Sequence, residues 1–378
     1  AEEAWSLLVD STRLRLRSDV PTGVFLSGGL DSSLVTAAAT QVSDTPVQTF
    51  TIGVPGSIMD ETVYAQHISD AFSTDHHVLQ IEKPSLDLLD DLAPFIDEPI
   101  ADSSILPSFM ISRLTRQHVT VALGGDGGDE LFGGYQHYQN ILRDTKLLNW
   151  MPGFVFRGMS GLAARIPAGI SGRNRVASLR NGPAQSGIWG TPFFDIDLRR
   201  KVLSPDVVDL LGEGLAAPEY RNVASLQNSS DLIDSLTRMD FQQLLPDDYL
   251  VKVDRASMAN SLEVRTPFLD HRLVEFAFSR IPSEWKCNLN ERRRVQNLMA
   301  RKYLPKEFEL NRKQGFSVPM DAWIRDAPMD QLIEEIPQDI FNINFIKDLV
   351  VGQSRGRTNG ARLFALIMFN LSSLNKVD

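Results

Sequence analysis

Apolar positions along the first 140 residues change period several times, and each change marks an element. Ala4, Leu7, Leu8 and Leu14 recur near helical spacing with Arg13, Arg15 and Arg17 between them, which predicts an amphipathic helix over residues 4–16, ended by Pro21. Val24-Phe25-Leu26 is a short β-type run. It breaks into Ser27-Gly28-Gly29-Leu30-Asp31-Ser32-Ser33, after which the alanine-rich stretch from Leu34 to Gln41 reads as helix. Further strands are predicted at Val47 to Ile52, His77 to Ile81 and Val119 to Leu123, with helices around Glu61 to Phe72 and Ile105 to Arg116 between them. Strands alternating with helices in this way build a parallel sheet covered on both faces.

Beyond Tyr138 the period turns helical and is broken by Gly, Pro and Ser, as in Met159 to Arg175 and Arg180 to Phe194. Residues from about Asp231 to Ala277 read as helical again and carry the polar run Ser261-Leu262-Glu263-Val264-Arg265-Thr266-Pro267-Phe268-Leu269-Asp270. A last, strongly apolar helix is expected near Ala361 to Leu371. The expected architecture is α/β, a doubly wound parallel sheet with a largely helical C-terminal half. Its parts are a nucleotide-binding core over residues 1–140, a helical elaboration over 141–230 and a helical part over 231–378 that completes the site, all in one synthetase-type domain.

Composition narrows the function. With 378 residues the chain can bury a full core without staples. No apolar run approaches a membrane span, nothing at the start reads as a signal segment, and the single cysteine, Cys287, cannot form an internal disulfide. A reducing cytoplasm and no membrane role are the expectations. A net charge of −10 argues against a protein that grips nucleic-acid backbone, which needs a basic face. The basic cluster Arg292-Arg293-Arg294, continuing to Arg301, Lys302 and Lys306, reads as a solvated helix face or as charge set against polyphosphate.

Candidate chemistry begins at the glycine loop after the first strand. In an open parallel sheet, ligands collect beyond the carboxyl ends of the strands, where loop amides and a helix N-terminus bind anions. Gly28 and Gly29 let backbone approach phosphate oxygens, and Ser27, Ser32 and Ser33 add hydroxyls. Asp31 would repel phosphate unless a cation lay between, so the loop predicts Mg²⁺. No Gly-Lys-Ser/Thr follows, so the loop is not of the Walker type. A second glycine-rich loop, Gly124-Gly125-Asp126-Gly127-Gly128-Asp129-Glu130, follows the strand at Val119 to Leu123 and brings three carboxylates to the same sheet edge. Its ligand spacing is not that of a calcium loop.

The first loop resembles that of the ATP pyrophosphatase superfamily, whose members cleave ATP between the α and β phosphates. The second loop, with Asp97-Glu98-Pro99, Asp102-Ser103-Ser104, Leu250-Val251-Lys252-Val253-Asp254-Arg255-Ala256-Ser257-Met258, Leu262 to Asp270, Lys313-Gln314-Gly315-Phe316-Ser317-Val318-Pro319 and Gly356-Arg357-Thr358-Asn359, resembles the synthetase domain of the bacterial asparagine synthetase family over nearly the whole chain. By that resemblance, Asp31 and Asp129 bind Mg²⁺, Ser27 to Ser32 cradle pyrophosphate, and the nucleoside of ATP lies against Leu26, Ile52, Gly124 and Gly125. Lys313, Asp126 and Glu263 take catalytic parts, while Asp102, Ser103, Arg265 and Arg293 contact substrate or support the site. Glu263 and Arg265 are equally well read as a buttressing ion pair.

Three departures from the family pattern bear on this reading. Asp126 stands where many members have glutamate and β-lactam-forming relatives have tyrosine. Arg293, followed by Val295-Gln296-Asn297, replaces a lysine and Leu-Leu-Arg, and Asn311 replaces an arginine two residues before Lys313. The implied reaction is adenylation of a carboxylate, the side chain of aspartate in the first place, followed by attack of ammonia to give asparagine, AMP and pyrophosphate. Other carboxylates (a sugar acid, a peptide, a β-lactam precursor), tRNA modification and a non-catalytic nucleotide-binding role are the competing expectations. The family takes ammonia from a glutaminase domain with an N-terminal cysteine. This chain opens at Ala1, so ammonia is expected from a domain or partner absent from it, and a homodimer is admissible.

Overall fold

A computed structural model describes residues 1–53, 60–80, 88–189, 191, 193–219, 221, 231–310, 320–325 and 329–374. The chain runs α1 (Glu2–Arg15), β1 (Thr22–Phe25), α2 (Leu30–Val42), β2 (Gln48–Gly53), α3 (Thr62–Phe72), β3 (Asp75–Gln80), the short α4 (Leu88–Leu92), α5 (Ile105–Thr115), β4 (Val121–Leu123), α6 (Gly128–Phe132), α7 (Gln136–Leu148) and α8 (Gly153–Ala163). Further helices follow, with one more strand, β5 (Glu263–Arg265). Two compact units emerge. One comprises Ala1–Leu88, Ser104–Gln136 and Thr237–Val318; the other comprises Leu89–Ser103, His137–Leu236 and Pro319–Asp378.

The first unit holds a five-stranded sheet in the order β3-β2-β1-β4-β5, with every pairing parallel. The chain builds outward from β1 in one direction through β2 and β3, then restarts at β4 on the other side of β1. The strand order therefore reverses between β1 and β4, and the loops after these two strands diverge from a shared crevice at their carboxyl ends.

Both faces of the sheet are covered, as the alternation in the sequence predicts. Leu8 of α1, Leu34 and Val35 of α2, and Val295 and Met299 of the helix Arg294–Tyr303 close over Val24 and Leu123. In a second cluster Phe50 packs with Val119, Ala122 and Leu262, and Ile52 of β2 meets Met110 of α5. The strands predicted near Val24, Val47, His77 and Val119 are all present, with Ile81 outside the described residues. The stretch from Asp231 to Ala277, read as helical from its apolar spacing, contains β5 instead of running through. Leu262 and Val264 alternate with Glu263 and Arg265, a period of two that the surrounding helical pattern hides. Before it, Asp240–Leu250 forms a widened π-type helix around Pro246 that leads into the helix Val251–Met258.

The second unit is helical and is knotted by buried polar groups. Arg173, almost wholly enclosed, pairs with Asp195, whose Oδ1 also accepts from the amides of Asp197 and Leu198 at a helix start. Arg362 donates to the Thr358 carbonyl at 3.1 Å and to Asn174 at 3.0 Å, while the Asn359 amide donates to Gln353 at 2.7 Å. Thr358 also donates through its amide to Gly169, a glycine in the left-handed region. The Gly356-Arg357-Thr358-Asn359 stretch is thus a structural fastening of this unit. The final helix spans Gly360–Leu374.

Leu34 is fully enclosed in α2, whereas Leu210 is 83% exposed. Leu34→Ala should cost about 2–5 kcal/mol of unfolding free energy, and Leu210→Ala less than about 0.5 kcal/mol, as read by urea denaturation followed by circular dichroism.

Candidate active site

The loop after β1 is shaped by its glycines. Gly28 has φ +69°, and a Cβ there would lie 2.6 Å from the backbone of Tyr64, so only glycine fits without displacing α3. Gly29 is the N-cap of α2 and supplies no side-chain cap, leaving the first amides of a 13-residue helix directed at the loop. Ser27 Oγ accepts from the Gly29 amide at 3.2 Å and lies 3.0 Å from Ser32 Oγ, and Ser32 Oγ donates to the Gly29 carbonyl at 3.2 Å. Hydroxyls and amides therefore converge where an anion would sit.

The loop after β4 comes directly against it. A Cβ on Gly125 would meet Ser32 N at 3.2 Å and Asp31 Cβ at 3.1 Å, so the two loops touch backbone to backbone. Gly127 turns the chain at φ +93° into α6, which carries Asp129 and Glu130 in its first turn. Asp31 and Asp129 meet across one guanidinium: Arg293 Nη2 lies 2.8 Å from Asp129 Oδ1, and Nη1 lies 3.7 Å from Asp31 Oδ2. Arg293 is itself buried and left-handed, at φ +54°, and its amide donates to Lys286 O at 2.8 Å. An unusual backbone at a non-glycine residue is held here by the start of the following helix. Gln296, one turn on and fully buried, donates to Asp31 Oδ1 at 2.6 Å.

Asp126, Glu130, Lys252 and Tyr135 lie in or beside the acidic loop. Burial holds the Asp126 carboxyl above the usual carboxylate range, and the Lys252 ammonium opposes that shift. Lys252 is buried, donates to Ser104 Oγ at 2.8 Å and lies 4.6 Å from the centre of the Tyr249 ring. Glu130 is buried too and accepts from the Tyr135 hydroxyl at 2.5 Å. Burial is the main reason its carboxyl is pushed up to about 8; Asp129 adds to the shift and the Tyr135 hydrogen bond opposes it. Burial and the neighbouring carboxylates also raise the Tyr135 phenol.

The structure brings together Ser27, Gly28, Gly29, Asp31, Ser32, Gly125, Asp129 and Arg293. Leu26 and Ile52 are buried at the carboxyl ends of β1 and β2, Leu26 against Ala65 and Ile68. Gly124 donates its amide to Arg265 O at 2.8 Å, and its α-carbon is overhung by the Asp126 carboxylate. Glu263 pairs with Val121 in register, at the amino end of its strand, while the loops follow the carboxyl ends. It is more than half exposed and ion-paired to Arg265 at 2.7 Å, and Arg265 donates to the carbonyls of Arg15 and Arg17. This pair clamps the end of α1 to the sheet. Asp102 and Ser103 belong to the second unit, and Lys313 lies outside the described residues. Gln296 and Lys252 had no role in the sequence reading: Gln296 was visible only as a departure from a family pattern, and Lys252 only as one letter of a matching stretch.

A parallel α/β sheet with a serine-glycine loop and an acidic loop meeting at its switch point is the fold of the pyrophosphatase-loop class. Residues 3–370 match the family model described as asparagine synthase, and the chain belongs to that family. It is 29% identical over 341 residues to "Asparagine synthetase [glutamine-hydrolyzing] 1" of Bacillus subtilis, covering 89% of this chain and 52% of that protein. It is 31% identical to a putative asparagine synthetase (glutamine-hydrolyzing) of Mycobacterium bovis over 86% of this chain and 49% of that one. A further putative asparagine synthetase (glutamine-hydrolyzing), from Methanocaldococcus jannaschii, is 33% identical over 71% of this chain and 51% of its own. The chain spans about half the length of the curated relatives it matches.

The raised carboxyl of Glu130 makes a pH prediction. Unfolded, this group ionises near 4.5; folded, it keeps its proton to about 8. Between these values the folded protein binds one proton more, so the contribution of Glu130 to stability falls as pH rises. Glu130→Gln, which keeps an acceptor for Tyr135, should match the parent near pH 4.5 and gain on it toward pH 8. The gain should be about 1.4 kcal/mol per pH unit, the slope for one proton, measured by urea unfolding in metal-free buffer.

Proposed function

We propose that this protein activates a carboxylate by adenylation and hands it to ammonia, with the side chain of aspartate as the acceptor and asparagine, AMP and pyrophosphate as products. The observation that carries the reading is the convergence of Asp31 and Asp129 beside the uncapped start of α2. A Mg²⁺ bound mainly through substrate phosphates takes one or two protein carboxylates. Asp31 and Asp129 would hold the ion, which would neutralise the charge that grows as pyrophosphate leaves.

The chain's own residues do the rest. The α2 amides with Ser27 and Ser32 bind the β and γ phosphates and hold the α-phosphate for in-line attack. A carboxylate oxygen of the substrate bonds to the α-phosphorus while the bond to the bridging oxygen of pyrophosphate breaks. Ammonia then attacks the acyl carbon, loses a proton and expels AMP, which keeps the oxygen that came from the substrate. Arg293 supplies a cation beside Asp31 and Asp129 toward the leaving group, and the family resemblance assigns a second such charge to Lys313. Asp126, half-buried beside Lys252, faces the acyl-transfer side, and its short side chain sets how the substrate carboxylate is received. Ammonia comes from glutamine hydrolysed on a domain or partner other than this chain, in keeping with the names of its relatives.

Incubation with ATP, Mg²⁺, aspartate and ammonium should yield asparagine, AMP and pyrophosphate in equal amounts. Asp31→Asn and Asp129→Asn should each lower that rate by about a hundredfold or more, the scale of losing one charge-stabilising group. AMP and pyrophosphate without asparagine would keep the adenylation and move the acceptor or amine elsewhere. No pyrophosphate with any of a panel of carboxylates would sink the proposal.

A further inference from the structure

From Thr145 to Phe194 the chain carries Lys146, Arg157, Arg165, Arg173, Arg175 and Arg180 but no Asp or Glu, within a protein of net charge −10. The first half of this stretch also carries large apolar side chains in solvent. Leu147 is 65% exposed, Trp150 80%, Phe154 67% and Leu162 62%. In α8, Phe156, Ser160 and Ala163 face inward and Phe154, Arg157 and Leu162 fall on the opposite, exposed face, with Arg165 exposed in the turn that follows. Between them Gly158 and Gly161 have open space where a Cβ would be, so the face is smooth.

The charged side chains of residues 145–165 are all cations, while Arg173 and Arg180 further on are paired with Asp195 and Asp197. Asp144, the acid next to the stretch, is buried and paired with Arg175 at 2.6 Å, while Lys146, Arg157 and Arg165 are exposed. Lys201 donates to the Ala164 carbonyl beside Arg165, adding a cation at the helix end. The Trp150 indole N–H donates to Leu147 O at 2.8 Å, so its ring can leave water without stranding a donor.

We propose that this face docks the protein reversibly onto an anionic lipid surface, with Trp150, Phe154 and Leu162 entering the headgroup layer and Lys146, Arg157 and Arg165 meeting lipid phosphates. Exposed Trp, Phe and Leu side chains interspersed along the chain with Lys and Arg are the combination that lies on an anionic lipid surface. The overall negative charge does not forbid it, because salt screens charges beyond about 8 Å and only the local face is felt. The expectation of no membrane role rested on the lack of a spanning segment. No helix among the described residues is long and apolar enough to cross a membrane, and a surface that lies on a bilayer needs none.

Co-sedimentation with vesicles tests this independently of any ATP chemistry. The protein should pellet with vesicles of equal parts phosphatidylcholine and phosphatidylglycerol, and not with phosphatidylcholine alone. Arg157→Glu with Arg165→Glu should weaken binding about tenfold or more, as should Trp150→Ser with Phe154→Ser. Circular dichroism and thermal unfolding should be unchanged, since all four positions are exposed. Binding that is absent, indifferent to lipid charge, or unaffected by both double variants overturns the proposal. So does a concentration-dependent dimer in sedimentation velocity that Trp150→Ser with Phe154→Ser abolishes without vesicle binding, because the face would then join two copies.

Discussion

Two carboxylates have to share one sheet edge here without driving each other apart. Asp31 opens α2 and Asp129 opens α6, and the reversal of strand order between β1 and β4 brings the two helix starts face to face. Left alone, like charges at such a distance would disfavour the closed crevice. Arg293 resolves this by lying against both, and its left-handed backbone is the cost of placing a guanidinium there. Gln296 fixes Asp31 from the same helix turn, so the first turn of the helix Arg294–Tyr303 acts as the fourth wall of the site.

Around that arrangement the glycines have specific duties. Gly28 yields to α3, Gly125 to α2, and Gly127 turns the chain so that Asp129 enters at the right height. Two further pairs stand at the acidic loop, Glu130 with Tyr135 and Asp126 with Lys252. A buried ammonium such as that of Lys252 is tolerated in folding when a carboxyl such as that of Asp126 stands beside it.

The sheet was legible because its strands carry period-two or continuous apolar runs bounded by glycine, and both ligand loops announced themselves by composition. The strand β5 was not, since three residues cannot establish a period against helical neighbours. The site was legible as far as residues close in sequence: Ser27 to Ser32 and Gly124 to Asp129. What joined them was not. Arg293 and Gln296 reach Asp31 across more than 260 residues, a contact that only the packing of the sheet's covering helix creates. Glu263 shows the converse: its motif pointed to chemistry, while its place at the amino end of β5 and its exposure give it to α1 and Arg265. The exposed basic and apolar face of α8 is not legible in the overall charge, because a net value averages away a 50-residue stretch that carries cations only.

Adenylation leaves an isotopic mark that no other route to asparagine leaves. Aspartate carrying ¹⁸O in its side-chain carboxylate, turned over with ATP, Mg²⁺ and ammonium, should deliver one labelled oxygen to AMP and none to pyrophosphate, as mass spectrometry of the products would show. Label remaining wholly in the amino acid or water, or appearing in phosphate, would contradict attack of the substrate carboxylate on the α-phosphorus and with it the account of this site.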